Sequence, residues 1–314
     1  MLMQTINILG PIAIITLIGY LLGRSKVGIE TRSLSTLVIT VATPALIFNT
    51  LTSLHVEGDV IRTMASAAVL CVVIAGVIGA AGLVLVGGSV RSFLPTLMLP
   101  NSGNMGLPLV TLAFGPQGLQ FGVAYFFAVA LIQNSVGMSI YAGSVKLTEI
   151  LRQPLIYAVI AVLGVTWTGV QVPEIVQVTT KMLSGMMIPS MLILLGASLA
   201  KLQIADLRPA LMIAGGRLAL GLLSAVIVIW GLGLEGVAAG TAFLLATMPT
   251  AIVSYVFAER FGHKPQQVAG AVVASTLLTF AVLPVLIWAA LAISTGEWSS
   301  SVAMLRSGGM VATR

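Results

Sequence analysis

Apolar segments of about twenty residues recur from one end of the chain to the other, and each is long enough to cross a membrane as a helix. Of the 314 residues, 58% are hydrophobic and 8% are charged, whereas a soluble domain has about 25% charged residues. The polar stretches between the segments are too short to hold a soluble domain. The chain is therefore predicted to be an all-α polytopic membrane protein. The first segment begins at Ile6 with no preceding Lys or Arg, which predicts a retained helix and not a cleaved signal peptide.

Ten membrane-spanning helices are predicted from these segments and the gaps between them. The predicted spans are 5–23, 33–54, 63–87, 91–113, 118–141, 151–170, 179–200, 207–232, 236–258 and 266–293. Ten Lys and Arg lie in the loops after odd-numbered spans, and four lie in the other loops and the terminal segments. Because loops rich in Lys and Arg stay in the cytoplasm, both termini are expected on the periplasmic or extracellular side of the cytoplasmic (inner) membrane.

The two halves of the chain are predicted to form an inverted repeat. Residues 1–145 contain the first five spans, residues 146–295 contain the other five, and residues 296–314 form a polar tail. An odd number of spans in each half makes the halves run in opposite directions through the membrane. Many secondary transporters have this 5+5 architecture and bind substrate between interrupted helices near the bilayer midplane.

Proline residues interrupt corresponding spans of the two halves. Pro44 and Pro189 lie in the second span of each half, and Pro100, Pro108 and Pro249 lie in the fourth. Matched interruptions of this kind are the best indication from sequence of where a transporter binds its substrate.

The longest interruption, residues 100–108, cannot be regular helix. It contains two Pro, two Gly, two Asn and one Ser, which remove backbone donors, add backbone freedom and supply side-chain hydrogen bonds. An unpaired backbone group in hydrocarbon costs several kcal/mol, so such a segment persists only inside protein or beside a water-filled cavity. The segment therefore predicts a polar binding site within the bilayer.

The motifs at these interruptions resemble those of the auxin efflux carrier family, which includes plant PIN-type carriers and bacterial organic-anion permeases of the malonate and malate type. The resemblance covers essentially the whole chain. The matching segments are Asn101–Leu109, Met248–Ala251, Ser254–Ala258 with Phe261 and Gly262, Ala42–Phe48, Ser275 with Thr276, and Leu283 with Pro284.

This resemblance implies a ten-helix fold, shared with bile-acid/sodium symporters, in which broken helices 4 and 9 cross at the substrate site. It also implies a homodimer. The chain differs from the plant members because Thr250 follows Pro249 where they have Asn, and because it lacks their long central loop. These differences favour a small carboxylate as substrate over auxin.

The predicted substrate site combines the polar residues of both interruptions with the helix ends that the interruptions create. Each helix N-terminus has roughly half a positive charge and unpaired N–H groups, so two together form an anion site. The predicted substrate-binding residues are Asn101, Ser102, Gly103, Asn104, Thr247, Pro249, Thr250 and Ser254.

Arg217 is the one charged residue deep inside a predicted span. An intramembrane arginine is a functional candidate, and a carboxylate substrate is one partner that would suit it. The alternatives are that it extends to the cytoplasmic surface or binds carbonyls of a broken helix. Further candidates for the substrate site or for ion coupling are Asn49, Tyr125, Gln133, Asn134, Ser275, Thr276 and Thr279.

These features predict a secondary transporter that moves a small organic anion by alternating access. The predicted spans contain no Asp, Glu or His, which argues against an intramembrane enzyme, a metal site and a proton antiporter that depends on a buried acid. No cofactor is expected, and coupling to Na⁺ or H⁺ is left open. Scattered basic residues without aromatic patches do not predict nucleic-acid binding. A sodium-coupled symporter of the bile-acid type is the main alternative, and an anion channel is the second.

Overall fold

The computed structural model describes residues 2–25, 30–53, 58–144, 154–201 and 206–296, and these residues are almost entirely helical. From residue 297 onward, the predicted polar tail lies outside the described residues. The described helices are α1 (Leu2–Arg24), α2 (Thr31–Leu37), α3 (Thr43–Ser53), α4 (Gly58–Leu85), α5 (Val90–Met98), α6 (Leu107–Ile132), α7 (Met138–Ala142), α8 (Pro154–Thr168), α9 (Glu174–Gly185), α10 (Met187–Lys201), α11 (Leu207–Leu232), α12 (Gly236–Ala246), α13 (Val253–Phe261) and α14 (Pro265–Ser294). Three π turns adjoin them, at Val38–Ala42, Ser102–Gly106 and Gln133–Gly137.

Seven helical segments of the described chain are long and apolar enough to cross a membrane. They are Ile6–Arg24, Thr31–Ser53, Gly58–Leu85, Ser102–Ala142, Glu174–Lys201, Leu207–Leu232 and Pro265–Ser294. Two shorter apolar helices, Pro154–Val165 and Gly236–Ala246, lie within the sixth and ninth predicted spans. The chain is thus a multi-pass helical protein, and the ten-span inverted repeat stays a prediction.

The segment Ser102–Ala142 contains a sharp turn at Gly115. The backbone angles there are φ 64° and ψ −147°, a combination that in practice only glycine adopts. Pro116 follows and has no N–H to donate to the preceding turn. The turn falls between the fourth and fifth predicted spans, so α6 contributes to both.

The two prolines that were expected to interrupt the second and seventh spans differ in their effect. Pro44 does not break its helix, because α2 and α3 run on through the wider π turn Val38–Ala42. The expected break at Pro44 is therefore corrected to a local deformation. In the seventh span a single turn residue, Met186, separates α9 from α10, and its backbone angles (φ −73°, ψ −23°) stay in the helical region. Pro189 has no N–H for the carbonyl of Gly185 four residues earlier, which weakens the helix at that point.

The described helices pack in two groups, which position the interruptions. In the first group α1 lies along α10, and α3 packs against α8 and α9. In the second group α4, α6, α11, α12 and α14 pack against one another, together with α5, α7 and α13. The main contact between the groups is made by the π turn Ser102–Gly106 against α10, with smaller contacts from α1 and α3 to α6.

The first group contains the closest helix packing. A Cβ added at Gly196 in α10 would lie 1.9 Å from the Thr16 carbonyl oxygen in α1, and one added at Gly19 would lie 2.2 Å from the Ile193 carbonyl oxygen. The two backbones are therefore in direct contact, which is the arrangement that small residues permit between membrane helices.

Candidate functional site

Two interrupted helices of the second group pair through their backbones. Helix α5 ends at Met98 and helix α12 ends at Ala246, and irregular backbone follows each. Pro100 and Thr250 then lie opposite each other in an isolated antiparallel bridge. Two hydrogen bonds close the bridge, each from an amide of one segment to a carbonyl of the other: Asn101 to Pro249 at 2.7 Å, and Ala251 to Leu99 at 3.0 Å.

The pairing leaves carbonyls in the last turn of α5 without their helical donors. In an α-helix each amide bonds to the carbonyl four residues earlier. The amide of Asn101 would bond to Leu97, but it donates to the other segment instead. Pro100 would bond to Thr96, but proline has no N–H. The hydroxyl of Thr250 takes its place and donates to the Thr96 carbonyl at 2.8 Å.

The last turn of α12 also has a carbonyl without its helical donor. The amide of Thr250 would bond to Ala246, but it donates to Oγ of Ser275 in α14 at 3.1 Å. The hydroxyl of Thr247 donates to two carbonyls one turn back in its own helix, at 2.9 and 3.1 Å. The hydroxyls of Thr247, Thr250 and Ser275 are therefore all bonded to protein, and they stabilise the interrupted backbone.

Arg217 in α11 supplies the donors that the two helix ends lack. Its guanidinium donates to the carbonyl of Leu97 at 2.8 Å, to that of Met248 at 3.1 Å, and to that of Ala246. The side chain is 2% exposed, and it is the only charged side chain among the buried residues of the described chain. Of the roles weighed from the sequence, this geometry matches the binding of carbonyls from broken helices.

A narrow void beside Arg217 has no room for a water molecule. Its lining includes Cys71, Tyr125 and Ser224. The Tyr125 hydroxyl faces the Cys71 thiol and has no oxygen or nitrogen partner in the described chain. Tyr125 thus lies on the Arg217 side of the paired segments, in a closed environment near the guanidinium.

Several polar donors at the N-terminal ends of the helices that follow the two interruptions have no hydrogen-bond partners in the described chain. The amides of Ser102, Gly103 and Asn104 form no hydrogen bond within the described residues. Nδ2 of Asn101 and Oγ of Ser254 are buried and also have no partner there. Because buried polar groups are normally hydrogen-bonded, such donors indicate a place where a ligand binds.

Neighbouring helices restrict the space around these donors. The ring of Phe126 lies so close to Gly103 that an added Cβ would be 2.7 Å from it. Asn104 is half-buried, within the π turn that contacts α10. Pro108 is the second residue of α6, and the π turn Ser102–Gly106 leads directly into this helix, because the amide of Leu107 donates to the carbonyl of Ser102. The break expected at Pro108 is therefore corrected, since the helix continues through this proline.

Two further candidates, one in α14 and one in the π turn that follows α6, lie on helix faces directed toward the paired segments. Thr279 is buried one turn beyond Ser275 and on the same face of α14. An added Cβ at Gly137 would lie 2.7 Å from the Leu99 side chain. Gln133 lies one turn before Gly137, so it is on the helix face toward the paired segments.

Three candidates are not brought to the paired segments by any described contact. Thr276 donates to a carbonyl of its own helix at 2.7 Å, and Asn134 does the same at 2.9 Å. Asn49 lies in α3, which packs mainly with the first helix group.

Sequence reasoning missed several groups that build the site. Thr96 could have been found, because the carbonyl four residues before Pro100 must lose its helical donor. Cys71 and Ser224 had no such signal, since small residues in an apolar helix are usually packing residues.

Comparison with known proteins agrees with the resemblance carried by the motifs. A family model described as a membrane transport protein matches residues 5–144 and 138–289. An uncharacterized transporter of Methanothermobacter thermautotrophicus is 26% identical over 293 residues, which cover 87% of this chain and 94% of that protein. The predicted family is confirmed: the chain belongs to the membrane transport protein family, that of the auxin efflux carriers.

Proposed function

We propose that this protein is a secondary transporter that carries a small organic anion, a carboxylate, across the cytoplasmic membrane. The substrate carboxylate binds at the N-terminal ends of the two helices that follow the paired interruptions. The observation behind this proposal is a set of donors without partners in the described chain: the buried Nδ2 of Asn101 and Oγ of Ser254, and the amides of Ser102, Gly103 and Asn104.

Helix electrostatics support an anion at this place. The N-terminal ends at Ser102 and Val253 each have about half a positive charge, so together they match about one negative charge. Backbone amides at helix N-termini are a standard binding site for carboxylate and phosphate groups. A carboxylate would accept hydrogen bonds from donors that otherwise remain buried and unpaired.

The position of Arg217 supports placing the two N-terminal ends together. Its guanidinium bonds to Leu97 and to Ala246, so the C-terminal ends of α5 and α12 lie within reach of one side chain. The irregular segments are short and run antiparallel. The two helix N-termini therefore lie on the opposite flank of the bridge, away from the arginine.

The two helix groups support alternating access. The π turn Ser102–Gly106 belongs to the second group and contacts α10 of the first. In this proposal the second group shifts along the first, which exposes the carboxylate site to one side of the membrane and then to the other. The ten-span inverted repeat, both termini outside the cytoplasm, and a homodimer are parts of the same proposal.

The direction of transport follows from the membrane potential if no ion is coupled. A potential of about 100 mV, negative inside, is worth about 2.3 kcal/mol per charge, or roughly fortyfold in concentration. For a monoanion this favours exit, so an uncoupled carrier works as an exporter.

The test is a binding screen of small carboxylates against purified protein and three alanine variants. Asn101→Ala and Ser254→Ala should each weaken carboxylate binding by roughly tenfold, because each removes one hydrogen bond to a charged group. Neither should lower the melting temperature, since neither side-chain donor has a partner within the described residues. Asn134→Ala is the matched control, because that amide bonds to its own helix.

Binding of the best carboxylate to Asn134→Ala should match the parent. If Asn101→Ala and Ser254→Ala also bound it like the parent, the substrate site would lie elsewhere and the proposal would fail.

A further inference from the structure

The acceptors of Arg217 form a site that is normally suited to a metal cation. Leu97 and Ala246 each lost the amide that a continuous helix would provide, and Met248 lies in the irregular segment between α12 and α13. Their three carbonyl oxygens surround the guanidinium, each bonded to a different one of its nitrogens. Broken-helix transporters use such carbonyls and half-helix C-terminal ends to coordinate Na⁺.

The charge at this point also suits a monovalent cation. Each helix C-terminus has about half a negative charge, so the ends of α5 and α12 together present about one. A guanidinium group supplies one positive charge and spreads its donors over several acceptors. No buried Asp or Glu side chain is present in the described chain to neutralise Arg217, so the carbonyls are its counter-charge.

We propose that Arg217 is a resident cation, which permanently occupies the place where a coupling cation would bind between the two broken helices. Transport by this chain is therefore independent of Na⁺ and K⁺. The inference rests on the proposed carboxylate transport and specifies how that substrate is balanced in charge.

The same arrangement selects the charge of the substrate. The arginine offsets the two C-terminal ends, which leaves the two N-terminal ends with about one positive charge in total. A monocarboxylate neutralises that charge, whereas a dicarboxylate leaves one negative charge in a dry interior, where an unpaired charge is costly. Singly charged carboxylates are therefore the substrate class.

A hydrated cation has no space beside the guanidinium. The void lined by Cys71, Tyr125 and Ser224 does not admit a water molecule. The three neutral side chains also lack the carboxylate that would attract a second cation. Arg217 is thus a positioning residue, which acts on the substrate through the helix ends and not by touching it.

Chemical rescue tests the proposal. Arg217→Ala removes the guanidinium and leaves the three carbonyls, so the melting temperature should fall and should be restored in a saturable way by guanidinium chloride at millimolar, non-denaturing concentration. Choline chloride should not restore it. Arg91→Ala is the matched control, because Nε of Arg91 also donates to two carbonyls, those of Ile140 and Tyr141 at 3.2 Å, but on an exposed residue away from the interruptions.

Rescue of Arg217→Ala without rescue of Arg91→Ala supports a resident cation. A lowered melting temperature that guanidinium does not restore would overturn the proposal. Because the readout needs no substrate, it stays informative even if the carboxylate screen fails.

The unmodified protein gives a second test if Arg217→Ala cannot be recovered in folded form. In proteoliposomes, transport of the best monocarboxylate should be unchanged when Na⁺ and K⁺ are replaced by N-methylglucamine. A requirement for Na⁺ or K⁺ would overturn the proposal and would favour a sodium-coupled symporter.

Discussion

Replacing Thr250 by valine should show how much one hydroxyl contributes to holding the paired interruptions together. Thr250 is 0% exposed, and its hydroxyl donates to the Thr96 carbonyl at 2.8 Å. Valine keeps the shape of the side chain but removes the donor. Pro100 has no N–H that could replace this donor, so the Thr96 carbonyl is left buried and unpaired. We expect this to lower the free energy of unfolding by about 1–3 kcal/mol. This is a large part of a total stability of about 5–15 kcal/mol.

Thr241→Val provides the comparison within the same helix region. Thr241 is also 0% exposed, but its hydroxyl has no hydrogen-bond partner in the described chain. Removing an unpaired buried hydroxyl should leave the free energy of unfolding unchanged or raise it by up to about 1 kcal/mol. Reversible unfolding of the parent and both variants in mixed micelles measures the difference. Equal changes in the two variants would refute the assignment of the Thr250 hydroxyl to the Thr96 carbonyl.

Glycine substitutions test the helix contact and the sharp turn. Gly196→Ala would place a methyl group 1.9 Å from the Thr16 carbonyl oxygen. We therefore expect size-exclusion chromatography to show a large loss of folded protein. The control is Gly164→Ala, which has no atom within 4 Å of the new group and should elute like the parent. Gly115→Ala meets no atom within 4 Å, but its φ of 64° is strained for alanine, so the free energy of unfolding should fall by about 1–3 kcal/mol. Gly82→Ala, in the regular helix α4 and equally free of contacts, should not lower it; a similar loss in both variants would contradict the strain argument.

The interruptions could be predicted from the sequence because their causes are local. Pro100 and Pro249 lack an N–H wherever they are placed, and both lie in irregular backbone between helices. Pro44 shows the limit of this reasoning, since a helix can absorb a proline by widening to a π turn.

The partners of the freed carbonyls could not be predicted, because they come from distant parts of the chain. Thr250 is 154 residues from Thr96, and Arg217 is 120 residues from Leu97. Periodicity and composition report which face of a helix is apolar, but they do not report which two helix ends meet. The sequence therefore allowed three different roles for Arg217, and only the three-dimensional arrangement distinguishes between them.

The join between the two halves of the chain is closed by main-chain groups at residues 99–101 and 249–251, and the side chains of Thr250 and Arg217 support it. It therefore imposes little on the identity of the other neighbouring side chains. Asn101 and Ser254 can be exchanged during evolution without undoing the join, because neither side chain takes part in it. In the proposed mechanism, related carriers could therefore keep the same paired backbone and bind different substrates through a few substitutions beside it.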